Sequence, residues 1–107
     1  MSSKLHLWIC DPDSPSELTT ILSTLEDACP GTRGRTTVVY ERADLSISDL
    51  AAGFGRYLPS PQLVVARAAE CGRTTATAMI GAQADISDSD NSVAHLVYLG
   101  AFNCTNS

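Results

Sequence analysis

The 107-residue chain is poor in positive charge, poor in aromatic residues and without a Cys-x-x-Cys pair. Each shortage removes a class of function. Seven Lys plus Arg stand against twelve Asp plus Glu, for a net charge of −5. Proteins that track phosphate backbones draw most of their affinity from counterion release at basic patches, so no nucleic acid partner is expected. No apolar run approaches the roughly 18 residues needed to span a bilayer, and no membrane partner is expected either. The opening Met1–His6 has no charged stretch followed by an apolar signal core, which points to the cytoplasm. There Cys10, Cys29, Cys71 and Cys104 are expected as reduced thiols. In a secreted protein two disulfides would be the alternative, and only there would Asn103-Cys104-Thr105 matter as a glycosylation pattern. Neither His6 nor His95 lies at ligand spacing from a thiol, so no metal is expected. A calcium loop starting at Asp88 would need Gly and Glu where Val93 and Leu99 stand. Asp85, Asp88 and Asp90 are therefore read as part of a solvated loop with a helix cap. Gly53-Phe54-Gly55 is too short for a phosphate cradle and does not open a helix after a strand, so no cofactor is expected.

What the chain does have is a globular composition, 44% hydrophobic and 18% charged, at the length of a single domain over residues 1–107. Such a chain can bury a core without metal or disulfide. Lys4–Cys10 reads as a strand, with Leu5, Leu7 and Ile9 on one face and Trp8 and Cys10 on the other. Apolar character on both faces predicts a central strand, with His6 packed or at an edge. Ser14-Pro15-Ser16-Glu17 opens a helix: Ser14 as N-cap, Pro15 in the first turn, Glu17 completing a capping box. Leu18, Ile21, Leu22, Leu25 and Cys29 follow as one apolar stripe, and Pro30-Gly31 stops it.

Residues 35–41 are rich in β-branched side chains and predict a second strand. Strand, helix and strand together predict a right-handed crossover with the two strands parallel. Ser46 or Ser48 caps a second helix expected to reach about Leu58, with Leu50, Ala51, Phe54 and Leu58 inward. Gly53 and Gly55 weaken it, and close approach of another backbone is the lesser alternative. Residues 62–68 predict a third strand, Cys71-Gly72 a hairpin turn, and residues 73–80 a fourth strand antiparallel to the third. Gly81–Asn91 reads as a polar loop. Val93–Phe102 has no decisive period; a short helix is favoured over a strand, with a frayed tail over 102–107.

The resulting order, β-α-β-α-β-β-α, resembles the thioredoxin fold, a three-layer α/β domain with a mixed four-stranded sheet. Pro61-Gln62-Leu63-Val64-Val65, the turn at Gly72 and the strand ending at Ile80-Gly81 look like that family's proline, strand, turn and strand. The resemblance implies a cis Pro61 facing the functional edge. Leu5–Ser16 looks like the opening of the circadian-clock KaiB family, a thioredoxin-like branch whose members bind protein partners and lack the redox pair. Pro12–Pro15 occupies the place of that pair here, and the KaiB proline cluster after the third strand is replaced by Cys71-Gly72.

Cys10 is the one nucleophile in a suggestive position. A reactive thiol needs a helix N-terminus or a cation beside it, yet the helix begins about four residues later and Asp11 and Asp13 intervene. Their charge raises a thiol pKa, so Cys10 is expected to be unreactive. Asp11 and Asp13 have no neighbours that suit general acid–base work; ahead of a helix N-terminus they are favoured electrostatically. The expected function is a non-redox, thioredoxin-like module that binds or regulates a protein partner through Cys10, Asp11, Asp13, Ser14 and Pro61. Two alternatives stand beside it: a monothiol oxidoreductase or peroxidase using Cys10, and a small α+β homo-oligomer whose last segment is a strand extending the sheet across a dimer.

Overall fold

The computed structural model describes residues 4–32, 34, 36–54, 61–83 and 96–103. The elements in chain order are β1 (Lys4–Cys10), α1 (Pro15–Ala28), a 3-10 turn (Pro30–Thr32), β2 (Thr36–Ser46), α2 (Ile47–Ala52), α3 (Pro61–Glu70), β3 (Thr75–Gln83) and β4 (Val97–Asn103). Among the described residues the strands form one four-stranded sheet in the order β2-β3-β1-β4, and every neighbouring pair is antiparallel.

Alternation along β1 splits the core in two, because successive side chains leave a strand on opposite faces. Leu5, Leu7 and Ile9 pack with Ile47, Leu50 and Phe54 of the α2 segment and with Val64 and Ala68 of α3. Trp8 and Cys10 pack with Leu18, Ile21 and Leu25 of α1, joined by Ala78 and Ile80 of β3. Helices therefore cover both faces, making a mixed α/β arrangement of three layers. β1 is the central, doubly covered strand that its composition predicts, and His6 on it is buried.

α1 forms as its sequence dictates. Ser14 is extended, and its hydroxyl accepts from the Glu17 N–H at 3.2 Å. Glu17 reaches back one residue beyond the usual capping box, its Oε2 accepting from the Asp13 N–H at 3.3 Å. Leu18, Ile21 and Leu25 form the buried stripe. Each such side chain contributes on the order of 1.5–3 kcal/mol when fully withdrawn from water. Ser46 caps α2, accepting from the Asp49 N–H at 3.1 Å.

Several expectations are corrected. Residues 62–68 are not a strand but lie within α3, where Val64 and Ala68 share the buried face. The Cys71-Gly72 turn is accordingly a helix end and not a hairpin. Gly72 takes φ +79°, its N–H donates to Ala69 O at 2.9 Å, and the Arg73 N–H donates to Ala68 O at 2.9 Å, a Schellman closure. With no strand at 62–68, β3 enters the sheet from the end where α3 finishes and runs against β1. β1 and β2 do point the same way, each being antiparallel to β3, but β3 lies between them, so the expected mixed sheet gives way to an antiparallel one.

The expected helix after residue 93 is instead β4. A bulge between Leu7 and Trp8 pairs Leu7 with Gly100 and Trp8 with Tyr98, leaving Leu99 as the extra residue. Phe102 and Asn103, expected in a frayed tail, belong to this strand. α2 ends at Ala52, short of the expected extent, and Leu58 lies outside the described residues. At Gly53 it is a side chain and not another backbone that comes close: a Cβ there would stand 2.7 Å from a Val39 methyl. Gly81–Gln83 belong to β3, while the rest of the expected polar loop, with Asp85, Asp88 and Asp90, lies outside the described residues. So does Ser60, and with it the Ser60–Pro61 bond that the resemblance implies to be cis.

Candidate functional site

The residues after β1 gather at one end of the sheet. The register that pairs Cys10 with Ala78 sets Asp11 opposite Thr77, and both Asp11 oxygens are engaged there. Oδ1 accepts from the Thr77 N–H at 3.0 Å and Oδ2 from Arg73 Nη2 at 2.6 Å. Arg73 also donates to Thr75 O at 3.2 Å, and the Thr77 hydroxyl donates to Asp44 Oδ1 at 3.1 Å. Asp44 sits where β2 loses register with β3 between Tyr40 and Leu45. A concavity of about 480 Å³ opens beside this network, lined by Pro12, Asp13, Ser14, Pro15, Tyr40, Asp44 and Thr77. Thus Asp13 and Ser14 do line a surface depression, whereas Asp11 is occupied in tying the loop to β3.

Cys10 does not open onto that depression as a nucleophile. It is 2% exposed, and burial together with the Asp11 charge pushes its thiol up to about 12, with Arg73 only partly opposing them. At neutral pH it is a protonated core side chain. Burial likewise raises the Cys29 thiol, and Cys71 is exposed beyond α3. Pro61 is not brought to the loop. It opens α3, and the opposite end of that helix leads through Cys71–Thr74 towards Cys10, so a helix of ten residues, roughly 15 Å, intervenes. Among the described residues no three His, Cys, Asp or Glu side chains converge to hold a metal ion, and no helix is long and apolar enough to cross a membrane.

Arg73, Thr77, Tyr40 and Asp44 escape sequence reasoning because they reach the loop only through strand register. A second feature is the position of β4 at one end of the sheet that the described residues form. The strand reads Val-Tyr-Leu-Gly-Ala-Phe-Asn, with neither charge nor proline. The opposite edge, β2, carries Glu41, Arg42 and Asp44 in its sequence and departs from register there. Charges and irregularities are devices that keep an edge from pairing with another chain, and β4 keeps only its bulge. β4 is held on its inner side by an aromatic cluster. His6 Nδ1 and the Tyr98 hydroxyl share a hydrogen bond of 2.8 Å, and the Trp8 and Tyr98 rings lie 5.3 Å apart.

Comparison with family models, curated proteins and solved structures finds no match to this chain.

Proposed function

We propose that this protein is a cytoplasmic, non-redox module that binds another polypeptide chain, and that the partner pairs with the outer edge of β4. The observation that carries the proposal is the uncharged strand Val97–Asn103 at one end of the sheet. An edge strand presents a row of backbone donors and acceptors, and strand addition satisfies them with the partner's own backbone. The resemblance of Leu5–Ser16 to the KaiB opening supports the same class of role, partner binding without a redox pair. The antiparallel strand order supplies no further support for a thioredoxin-like assignment. Thiol chemistry at Cys10 would need a thiolate, and the burial and raised pKa of that residue count against it.

Capture from an extract of the native host tests the proposal, with retained chains identified by mass spectrometry. Ala101→Lys places a charge on β4, and Thr37→Lys places one at an exposed position of β2. At least tenfold less partner is expected on the Ala101→Lys protein, with the Thr37→Lys protein matching wild type. Equal capture by Ala101→Lys and wild type would overturn the β4 assignment.

A further inference from the structure

We infer that Asp11–Asp13 is a latched strap over Cys10, and that it lifts from the end of the sheet while the rest of the fold stays closed. The device is separate from the β4 reading of function.

Backbone pairing is the first support. Among the described residues β1 is laddered to β4 only as far as Ile9 and to β3 only as far as Cys10. Past that point one side chain holds the strap to β3 and its approach. Asp11 Oδ1 accepts from the Thr77 N–H at 3.0 Å, and Oδ2 accepts from Arg73 Nη2 at 2.6 Å. The bond from the Asp13 N–H to Glu17 and the Ser14 cap run to α1 and not to the sheet. Asp11 and Asp13 are exposed, and Pro12 alone of the three is buried.

The second support is the small cost of release. The Asp11 side chain is 48% exposed, that of Arg73 is 30% exposed and Thr77 is half-buried, so water takes over when the bonds part. A bond exchanged for water costs far less than one whose loss orphans a buried group. Segments held by few apolar contacts and by exposed hydrogen bonds are those that open well below the global unfolding free energy. Arg73 keeps its bond to Thr75 O when Asp11 leaves, so the receiving half of the latch stays in place.

Cys10 is what the strap covers. It is 2% exposed, yet the next residue is an exposed aspartate. The charges acting on its thiol are Asp11 and Arg73, the two halves of the latch, and Glu17, to which Asp13 is bonded. The latched state hides the thiol and the lifted state presents it.

Alkylation by iodoacetamide at pH 8 tests this, with labelling of Cys10 read by peptide mass spectrometry on wild type, Asp11→Ala, Arg73→Gln and Ser14→Ala. In wild type the Cys10 rate is expected to stay level up to about 1 M urea, where global unfolding would make it climb. Asp11→Ala loses both ties and is expected to label at least about tenfold faster, and Arg73→Gln, which loses one exposed ion pair, about two- to fivefold faster. Loss of the Asp11 charge makes the thiol more acidic and loss of the Arg73 charge makes it less so. Acceleration in both variants therefore reports lifting and not acidity. Ser14→Ala weakens α1 but leaves the latch whole, so its Cys10 rate is expected to match wild type. A wild-type rate that rises with urea in step with unfolding would overturn the inference, as would an Arg73→Gln protein labelled no faster than wild type. The second variant decides the matter even if Asp11→Ala fails to fold.

Discussion

Replacing Gly81 by alanine measures how closely the α2 segment is seated on the sheet. A Cβ at Gly81 would lie 2.6 Å from Phe54 Cε1, 3.1 Å from Phe54 Cζ and 3.2 Å from Leu5 Cδ1. Carbon atoms rest comfortably at about 3.5–4.0 Å, so the nearest overlap is on the order of 1 Å. Phe54 is 4% exposed, so its ring cannot swing into solvent without giving up its burial. Gly81 is not among the positive-φ glycines, so its backbone accepts alanine without strain. At an unobstructed position the substitution would gain about 0.4–1 kcal/mol by restricting the unfolded chain. Overpacking of a core costs about 1–3 kcal/mol, which leaves a net loss of about 1–2 kcal/mol. In a domain of this size that corresponds to a fall in Tm of roughly 5–15 °C. Urea denaturation followed by the fluorescence of Trp8, the one tryptophan and fully buried, reads the change directly. Phe54→Leu trims the obstructing ring, so the double variant is expected to recover part of the loss, with a coupling of at least about 0.5 kcal/mol. A Gly81→Ala protein as stable as wild type, with no coupling to Phe54→Leu, would refute the reasoning.

Ser14→Ala removes the hydroxyl that accepts from the Glu17 N–H and is expected to cost about 1 kcal/mol in urea denaturation, with helix content at 222 nm lost in the same transition. For Cys10, whose thiol is pushed up to about 12, an alkylating reagent at pH 8 is expected to label exposed Cys71 far faster than Cys10 in the native protein. Because Cys10 holds its proton in the folded state to a higher pH than in the unfolded chain, it contributes stability fully present below about pH 9 and lost as pH rises towards 12; Cys10→Ala is expected to flatten that alkaline decline in denaturation midpoints.

Local chemistry was legible where one residue type admits one conformation. The Ser14-Pro15-Ser16-Glu17 start predicted α1, the two-faced pattern of Lys4–Cys10 predicted a central strand, and of the two caps expected for the second helix, Ser46 and Ser48, Ser46 opens α2. It was misleading where one signal serves two structures. Leu63-Val64-Val65 is β-rich, but Pro61 fits a first helical turn and the alanines after Val65 favour a helix. Gly72 supplies a positive φ that a hairpin and a helix end both require. In β4 the bulge places Val97, Leu99 and Phe102 against one core cluster, which breaks the two-residue period and hides the strand. Of the candidate site, Asp13 and Ser14 were legible from the cap. Arg73 and Thr77 were not, since only the pairing of Cys10 with Ala78 brings them to Asp11.

The strand order also governs how the chain assembles as it is made. Among the described residues β1 finds its neighbours in β3 and β4, and β2 finds its neighbour in β3. At about 5–20 residues per second, synthesis of these 107 residues takes roughly 5–20 s, and until β3 leaves the ribosome no described strand has a described mate. β1, apolar on both sides, must wait through most of that interval with the helices α1 to α3 emerging before its strand partners, and helices of those lengths are marginal on their own. The sheet closes from the middle outward once β3 arrives, and β4 seals the far side last.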